Sequence, residues 1–465
     1  MILNTLHDVI SSDCCIGCGL CSYLAPESIS MRQDSVGRIQ PHINADIHDG
    51  IAMRSLLEIC PFADPGPHEN ELSRELYSES CSYDPEAGYY RSIFAGHVVD
   101  DKIREKTSSG GLITWLATQM LQQGLVDAVV HVTGTEEDQS SDPLLFEYSI
   151  SQNASDILKG AKSKYYPIEL SGALQKIRES PGRYLLIGLP CFIKGVRRLA
   201  VNDPIIAERI VFTIGLVCGH LKSKFFAELL ASQLNISPSD LKTFDFRVKL
   251  PERNAGGYGV RATSEESSEV TPSAALFGSD WGLHMFRYGA CDFCDDVFAE
   301  TADVVIGDAW LPEYVHDWKG NSLVISRHEV LTTLLQAGAE TGELVLDTVT
   351  TEDAAKSQAG GLRDRREDIQ WRIEQRRQKN EWAPKKRDFG MPLPTPSRRK
   401  LIETRQALRM ASLNLWTDSN YRGDWIGFKK ALAPLLKSYI RQTRPLRSRI
   451  KSKIKGILSH LRILF

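Results

Sequence analysis

Between residues 91 and 310 the apolar and polar positions switch period repeatedly. "RSIFAGHVV", "LVDAVVHV", "YLLIGL", "RIVFTIGLV" and "ADVVIGDAW" are short apolar runs that predict strands. Among them, "GGLITWLATQMLQQG" sets Leu112, Trp115, Leu116 and Met120 at helical spacing and stops at Gly124. "SKFFAELLASQL" predicts a second helix with Ser223 as its N-cap. This alternation predicts an α/β core with a largely buried sheet over residues 86–330. Residues 331–390 read as a helical extension, with a long helix around "REDIQWRIEQRRQKNEW" whose charges form a solvated face. Three prolines in "FGMPLPTPSRRK" mark a linker, so 391–465 reads as linker, helical stretch and tail.

The tail has a pattern of its own. Leu446, Ile450, Ile454, Ile457, Leu458, Leu461 and Leu464 recur every three or four residues, with basic residues mostly off that face. Eleven Lys or Arg lie between Lys429 and Arg462, and no acidic residue follows Asp424. Such a helix suits peripheral contact with anionic lipid on the inner membrane face, or docking on the chain's own acidic body. Nucleic acid is excluded as a partner, because the tail lacks interleaved aromatics and the body is acidic.

Composition narrows the class without naming a function. The 465 residues are 42% hydrophobic and 25% charged, which is ordinary globular usage. No apolar run approaches the roughly 18–20 residues that span a bilayer. The first Lys or Arg is Arg32, so a positively charged leader region is absent and a cytoplasmic location is expected. In that compartment paired thiols read as metal ligands or redox groups, not as structural disulfides.

Ten cysteines are present, and eight sort into two groups of four. "CCIGCGLC" places Cys15, Cys18 and Cys21 in the rhythm C-x2-C-x2-C. A bacterial ferredoxin would carry a fourth cysteine before the next proline, where this chain has Ala25 before Pro26. In two-cluster ferredoxins that fourth thiol ligates the other cluster, so its loss is tolerated when residues 1–85 hold a single 4Fe-4S cluster. The remaining ligand is then the distant Cys60, followed by Pro61 in "LEICPF". The alternative for the same four thiols is a structural zinc knuckle. The second group joins Cys291 and Cys294 of "GACDFCDD" to Cys191 and Cys218, each at the end of a strand-like run. Ends of adjacent strands converge where cofactors bind in α/β sheets, which suits a second cluster; the competing reading makes Cys191 and Cys218 buried small hydrophobes. Cys14 and Cys81 stand outside both groups.

Two further stretches carry polar chemistry. "KTSSGGL" opens a helix with small residues whose backbone N–H groups can approach an anion, or it is an ordinary helix entry. "AKSKYYP" offers lysines for a pyrophosphate and tyrosines for a flat heterocycle, or it is an exposed loop.

Taken together, "CIGCGLC", "SSGGL", "KSKYY", "GLPC", "GLVCG", "FRVK", "CDFC" and "ADVVIGDAW" resemble, in this order, the beta-subunit family of coenzyme F420 hydrogenases and dehydrogenases. The resemblance runs from about Cys15 to about Trp310. It implies an iron–sulfur flavoprotein with a small ferredoxin-like N-terminal domain, an α/β flavin domain and a helical C-terminal region. Ser108, Ser109, Gly110 and Gly111 would approach the phosphates of FAD, Lys162, Ser163, Lys164 and Tyr165 would flank the cofactor, and Asp308 would lie close by. Cys191, Cys218, Cys291 and Cys294 match cysteines that look like cluster ligands. One departure is Val248, where the family's usual F-R-D-K has an aspartate. Two functions follow. The chain is an oxidoreductase that takes electrons from ferredoxin or a similar donor through two 4Fe-4S clusters to FAD and a small organic substrate. Alternatively, it is the electron-transfer beta subunit of a complex that uses the deazaflavin coenzyme.

Overall fold

The structure is a computed structural model and describes residues 5–44, 50–135 and 144–443. The amphipathic tail anticipated over 446–464 lies outside the described residues. No helix among the described residues is long and apolar enough to cross a membrane.

A mixed eight-stranded sheet organises the described chain. Its strands are β1 (Ser92–Val98), β2 (Ala128–Gly134), β3 (Phe146–Ser151), β4 (Tyr184–Gly188), β5 (Ile210–Leu216), β6 (Val304–Asp308), β7 (Ser322–Ser326) and β8 (Leu344–Thr348). Their spatial order is β8-β1-β7-β6-β5-β4-β2-β3. β6, β5, β4 and β2 are parallel, and antiparallel strands complete both sides. The five stretches read as strands all lie in this sheet, because each is an apolar run covered on both faces. β8 comes from the segment expected to be helical; "LVLDT" is short and mostly exposed on its edge, so its apolar signal is weak.

Alternate residues of each strand serve two cores. Phe94, Val129, Leu185, Ile214 and Val324 face the helices Leu112–Gln122 and Glu329–Glu340. Ala95, Val130, Leu186, Val305 and Ile325 face a larger core shared with the cysteine run, the helix Pro190–Asn202 and the C-terminal helices. The helix Pro190–Asn202 forms where it does because Pro190 takes its first turn, where no N–H is needed. Phe192, Ile193, Val196 and Leu199 then recur on its buried face. The helix expected after Ser223 runs from Phe225 to Ser232 with Lys224 as its N-cap. Ser223 stands one residue earlier and accepts from the Phe225 N–H at 3.2 Å.

The charged helix Asp368–Gln378 corrects the sequence reading most clearly, because its inward charges are paired in the interior instead of being solvated. A single turn of π-helix, Arg363–Glu367, precedes it. Asp364 accepts from Arg287 at 2.9 Å and from Arg372, and all three are buried. Asp292 meets Arg287 and Arg409 at 3.3 Å each, and Arg409 reaches Asp13 at 2.5 Å. This row of ion pairs ties the residue before the cysteine run to the C-x2-C segment and to two C-terminal helices, Asp368–Gln378 and Pro396–Thr417. Burial works to raise the Asp364 pKa, yet Arg287 and Arg372 hold its carboxyl well below the ordinary range.

Removing Asp364 from this row leaves two buried guanidinium groups, Arg287 and Arg372, to share the single carboxylate of Asp292, at 3.3 and 3.9 Å. Asp364→Asn should lower unfolding free energy by about 3–5 kcal/mol in denaturant titration. Asp127→Asn, which breaks the exposed and solvent-screened pair with Arg183, should leave the unfolding midpoint almost unchanged. Equal effects of the two substitutions would contradict the assignment of Asp364 to a buried, structure-bearing pair.

Candidate functional site

The cysteine run turns on glycine. Gly17 has φ 73°, and a Cβ there would stand 2.2 Å from the Ile39 carbonyl oxygen, so no other residue fits the loop. Its N–H points at Cys15 Sγ, 3.4 Å away. Cys21 lies in the short helix Leu20–Leu24, which ends at Ala25, where the ferredoxin rhythm loses its fourth thiol. Cys60 follows the helix Gly50–Ile59, across the segment that carries the hairpin Ile29–Gln33 and Ile39–Ile43. The fold brings Cys60 back to Cys15, Cys18 and Cys21, near enough for their charges to act on one another. Burial, then the charges of Cys21 and Cys60, push the Cys15 thiol well up. Burial, then Cys60 and Cys21, do the same at Cys18. Burial and Cys60 raise Cys21 to about 12.

Cys191, Cys218, Cys291 and Cys294 line a single cavity with Ile16, Phe62, Leu221 and Arg365. Parallel strand order explains the convergence. β4 runs directly into the helix carrying Cys191, and β5 ends two residues before Cys218, so both thiols leave the same end of the sheet. The 3-10 turn Gly289–Phe293 delivers Cys291, whose Sγ accepts the Leu221 N–H at 3.3 Å. Burial pushes Cys191 well up, with Cys294, Cys218, Cys291 and then Cys18 adding to it. Burial likewise lifts Cys218 to about 12. Ile16, inside the cysteine run, and Phe62, two residues after Cys60, line this cavity, so the two groups of four adjoin. Arg198, on the same helix as Cys191, donates to the carbonyls of Cys60, Ala63, Gly66 and Pro67 and fixes that adjacency.

Among the described residues, no three Cys, His, Asp or Glu side chains close on a single-ion position. Cys14 packs in an apolar cluster with Val9, Leu57 and Trp382, and Cys81 donates to the Arg327 carbonyl at 3.1 Å. All ten cysteines are free thiols.

A third centre stands beside the second. Ser108, Ser109, Gly110 and Gly111 connect β1 to the helix Leu112–Gln122 at the same end of the sheet. Gly111 is the N-cap with φ 85°, and a Cβ at Gly110 would stand 2.4 Å from the Gly96 carbonyl oxygen. Ser109 donates to the Asn321 carbonyl at 2.6 Å, while the Gly110 N–H donates to Ser322 Oγ at 3.1 Å. Ser108 Oγ accepts from the Ser163 N–H at 2.7 Å, which joins "SSGG" to "KSKY". Lys162 adopts the left-handed region, with φ 80°, and pairs with Asp245 at 2.5 Å. Lys164 donates to the carbonyls of Gly160 and Ala161. Tyr165 sets its ring edge against Trp281 at 4.7 Å between centroids, and its hydroxyl accepts from Arg247 at 3.3 Å. Asp308, the last residue of β6, takes both arms of Arg247 at 2.9 and 3.1 Å.

Arg247 and Lys249 belong to "FRVK", which the sequence showed only as a motif. The strand Thr243–Val248 shifts register between Asp245 and Val248, and such an irregularity re-aims side chains. Arg247 donates to the Ser108 carbonyl at 3.2 Å and lies over Tyr258, 4.2 Å from its ring centre. Lys249 donates to the Ser109 carbonyl at 2.8 Å. Val248 is buried, and the carboxylates present are Asp245 and Asp308. Lys162, Arg247 and the neighbouring Arg104 each have a carboxylate, whereas Lys164 and Lys249 bond backbone carbonyls. The cradle therefore holds an excess of positive charge. Burial lowers both lysines to about 7; at Lys249 the cations Arg104, Arg247 and Lys162 add to the effect. Trp281 touches Tyr165 of the cradle on one side and, on the other, His220, two residues after Cys218, at 4.3 Å between ring centres.

The family described as "Coenzyme F420 hydrogenase/dehydrogenase, beta subunit" matches in two parts, its N-terminal part over residues 93–175 and its C-terminal part over residues 182–352. Together they cover more than half of the chain. The coenzyme F420-dependent sulfite reductase of Methanocaldococcus jannaschii is 25% identical over 340 residues, 70% of this chain and 46% of that one. This chain thus spans about half the length of that relative. The coenzyme F420 hydrogenase subunit beta of Methanosarcina barkeri is 23% identical over 254 residues, 52% of this chain and 79% of that one. A chain of the F420-reducing [NiFe] hydrogenase complex from Methanosarcina barkeri aligns with a TM-score of 0.49 at 18% identity, covering 68% of this chain and 99% of that one. With both parts of the family matched across the sheet and its strand-end sites, the chain belongs to the coenzyme F420 hydrogenase/dehydrogenase beta subunit family.

Proposed function

We propose that the chain is an electron-transfer beta subunit that exchanges electrons between a partner redox protein and a deazaflavin coenzyme, using two 4Fe-4S clusters and FAD. The observation that carries this reading is the order of the three centres. Ile16 and Phe62 of the first segment line the second group's cavity, and Trp281 lies between Tyr165 of the cradle and His220, two residues after Cys218. When bound, such clusters and a flavin supply one-electron and two-electron chemistry. Cys15, Cys18, Cys21 and Cys60 would hold one cluster, and Cys191, Cys218, Cys291 and Cys294 the other. The four cysteines around one shared cavity suit a polynuclear cluster, whose ligands bind different irons. Lys164, Lys249 and the "SSGG" backbone would meet the flavin phosphates, and Tyr165 and Arg247 would orient the bound group.

The relatives favour a subunit over a self-contained reductase fed by ferredoxin. Two are named as beta subunits of F420 hydrogenases and one as the beta subunit of an F420-dependent formate dehydrogenase. In the sulfite reductase the matched region is under half of a longer chain. In each setting the unit accompanies further protein. Anaerobic protein mixed with the reduced deazaflavin coenzyme should bleach its flavin absorption without a second polypeptide, and onward turnover should require one. Turnover of a small organic substrate from reduced ferredoxin by the isolated chain would overturn the subunit reading.

Iron content tests the ligand sets. Anaerobic wild-type protein should carry about eight iron atoms. Cys60→Ser and Cys294→Ser should each remove about half, from different clusters, while Cys14→Ser and Cys81→Ser remove none. Full iron in Cys60→Ser would refute the ligand assigned in place of Ala25.

Lys249 tests the cradle. A charge-assisted hydrogen bond contributes about 1.5–3 kcal/mol, so Lys249→Gln should weaken flavin binding roughly 10- to 100-fold and leave iron content unchanged. With its pKa lowered to about 7, Lys249 is charged below that pH and largely neutral above it. A phosphate favours the charged form, so binding above pH 7 must draw in a proton and affinity should fall between pH 7 and 9. Lys249→Gln should flatten that fall. A wild-type affinity independent of pH, measured by fluorescence titration, would remove Lys249 from the phosphate site.

A further inference from the structure

Arg365 is a buried guanidinium whose charge has no carboxylate of its own. It sits in the π-helical turn Arg363–Glu367, is 1% exposed, and lines the same cavity as Cys191, Cys218, Cys291 and Cys294. Its Nη2 donates to the Gly219 carbonyl at 2.5 Å and stands 3.8 Å from Cys218 Sγ. Its Nε and Nη1 are buried without a partner among the described residues. The neighbouring carboxylate, Asp364, is already paired with Arg287 and Arg372. A guanidinium in that position strongly destabilises the fold unless negative charge meets it. The negative charge available is that of the cysteine group itself, whose four members line the same cavity.

The first group shows no such unpaired guanidinium among the described residues. Among the described residues, Arg38 beside that group pairs with Asp13 and Asp34, and Arg198 is taken up by backbone carbonyls. Four thiolates bring four negative charges, which a four-iron core offsets only in part. Hydrogen bonds to sulfur and net charge are what set a cluster's potential. We propose that Arg365 is a positioning residue for the second cysteine site, whose guanidinium neutralises and hydrogen-bonds the cluster held there and raises its reduction potential. This rests on the reading above that Cys191, Cys218, Cys291 and Cys294 hold a four-iron cluster. Arg365 is the middle residue of the π-turn, a local widening of the helix that recurs at functional sites.

The test is an anaerobic redox titration of the full chain followed by electron paramagnetic resonance. The signal lost in Cys294→Ser identifies the second cluster. Arg365→Gln should lower that cluster's potential by the equivalent of roughly tenfold in its electron-transfer equilibrium, about 59 mV for one electron. The first cluster's potential should not move, and Arg365→Lys should restore most of the shift. An unchanged second potential in Arg365→Gln overturns the proposal. Should Arg365→Gln lose the second cluster while keeping the first, Arg365→Lys decides. Retention at near wild-type potential supports a charge role, and loss in both variants refutes it. Wild-type protein with a single cluster, and full iron in Cys294→Ser, would instead defeat the reading on which the proposal rests.

Discussion

A charged side chain taken out of water weakens a fold by several kcal/mol unless an opposite charge meets it, and this chain buries a row of them between its cysteine groups. Asp13, Arg409, Asp292, Arg287, Asp364 and Arg372 alternate in sign from the residue before the cysteine run to the C-terminal helices. Each member satisfies its neighbour, so none can leave alone. The arrangement makes Asp13 and Asp292 the fixed points from which Cys15 and the Cys291–Cys294 turn are hung. A second buried set, in which Arg387 joins Asp295 and Glu300 at 3.1 and 2.7 Å, holds the other side of that turn. The C-terminal segment therefore acts as a strap across the cysteine sites, which explains why a region rich in charge belongs to the interior.

Around that strap, the sheet places everything else at one edge. Parallel strands bring Cys191, Cys218 and Asp308 out at their C-terminal ends, and the antiparallel neighbours add Ser322 beside Gly110. Strand direction alone thus accounts for the second cysteine group and the cradle lying side by side. The first group reaches the same place by a different route, through the carbonyls that Arg198 holds. The two cysteine groups adjoin at one cavity, and Trp281 and His220 stand between Tyr165 of the cradle and the strand end that leads to Cys218.

Much of this was readable in the chain. Thiols at x2 spacing, a distant Cys-Pro and strand-terminal cysteines leave short-range signals, and the five apolar runs reported the sheet because both their faces are covered. Arg365 and Arg372 were not readable, since a charged residue on a helix is almost always at the surface and its partner lies far away in sequence. Arg247, Lys249 and Asp245 were hidden for another reason. They occupy a strand with an irregular register, so period-2 reasoning cannot say which face each side chain takes. Ser223 missed its cap position by one residue, the usual uncertainty of a helix end.

The adjacency of two clusters is the claim on which the account turns, and their magnetic interaction measures it directly. In the fully reduced wild-type protein, two paramagnetic clusters held by groups that adjoin at one cavity should give a broadened, split resonance. That splitting should vanish in Cys60→Ser and in Cys294→Ser, each of which should show one simple signal. A wild-type spectrum equal to the plain sum of the two variant spectra would mean that the groups do not hold neighbouring clusters, and would contradict the account.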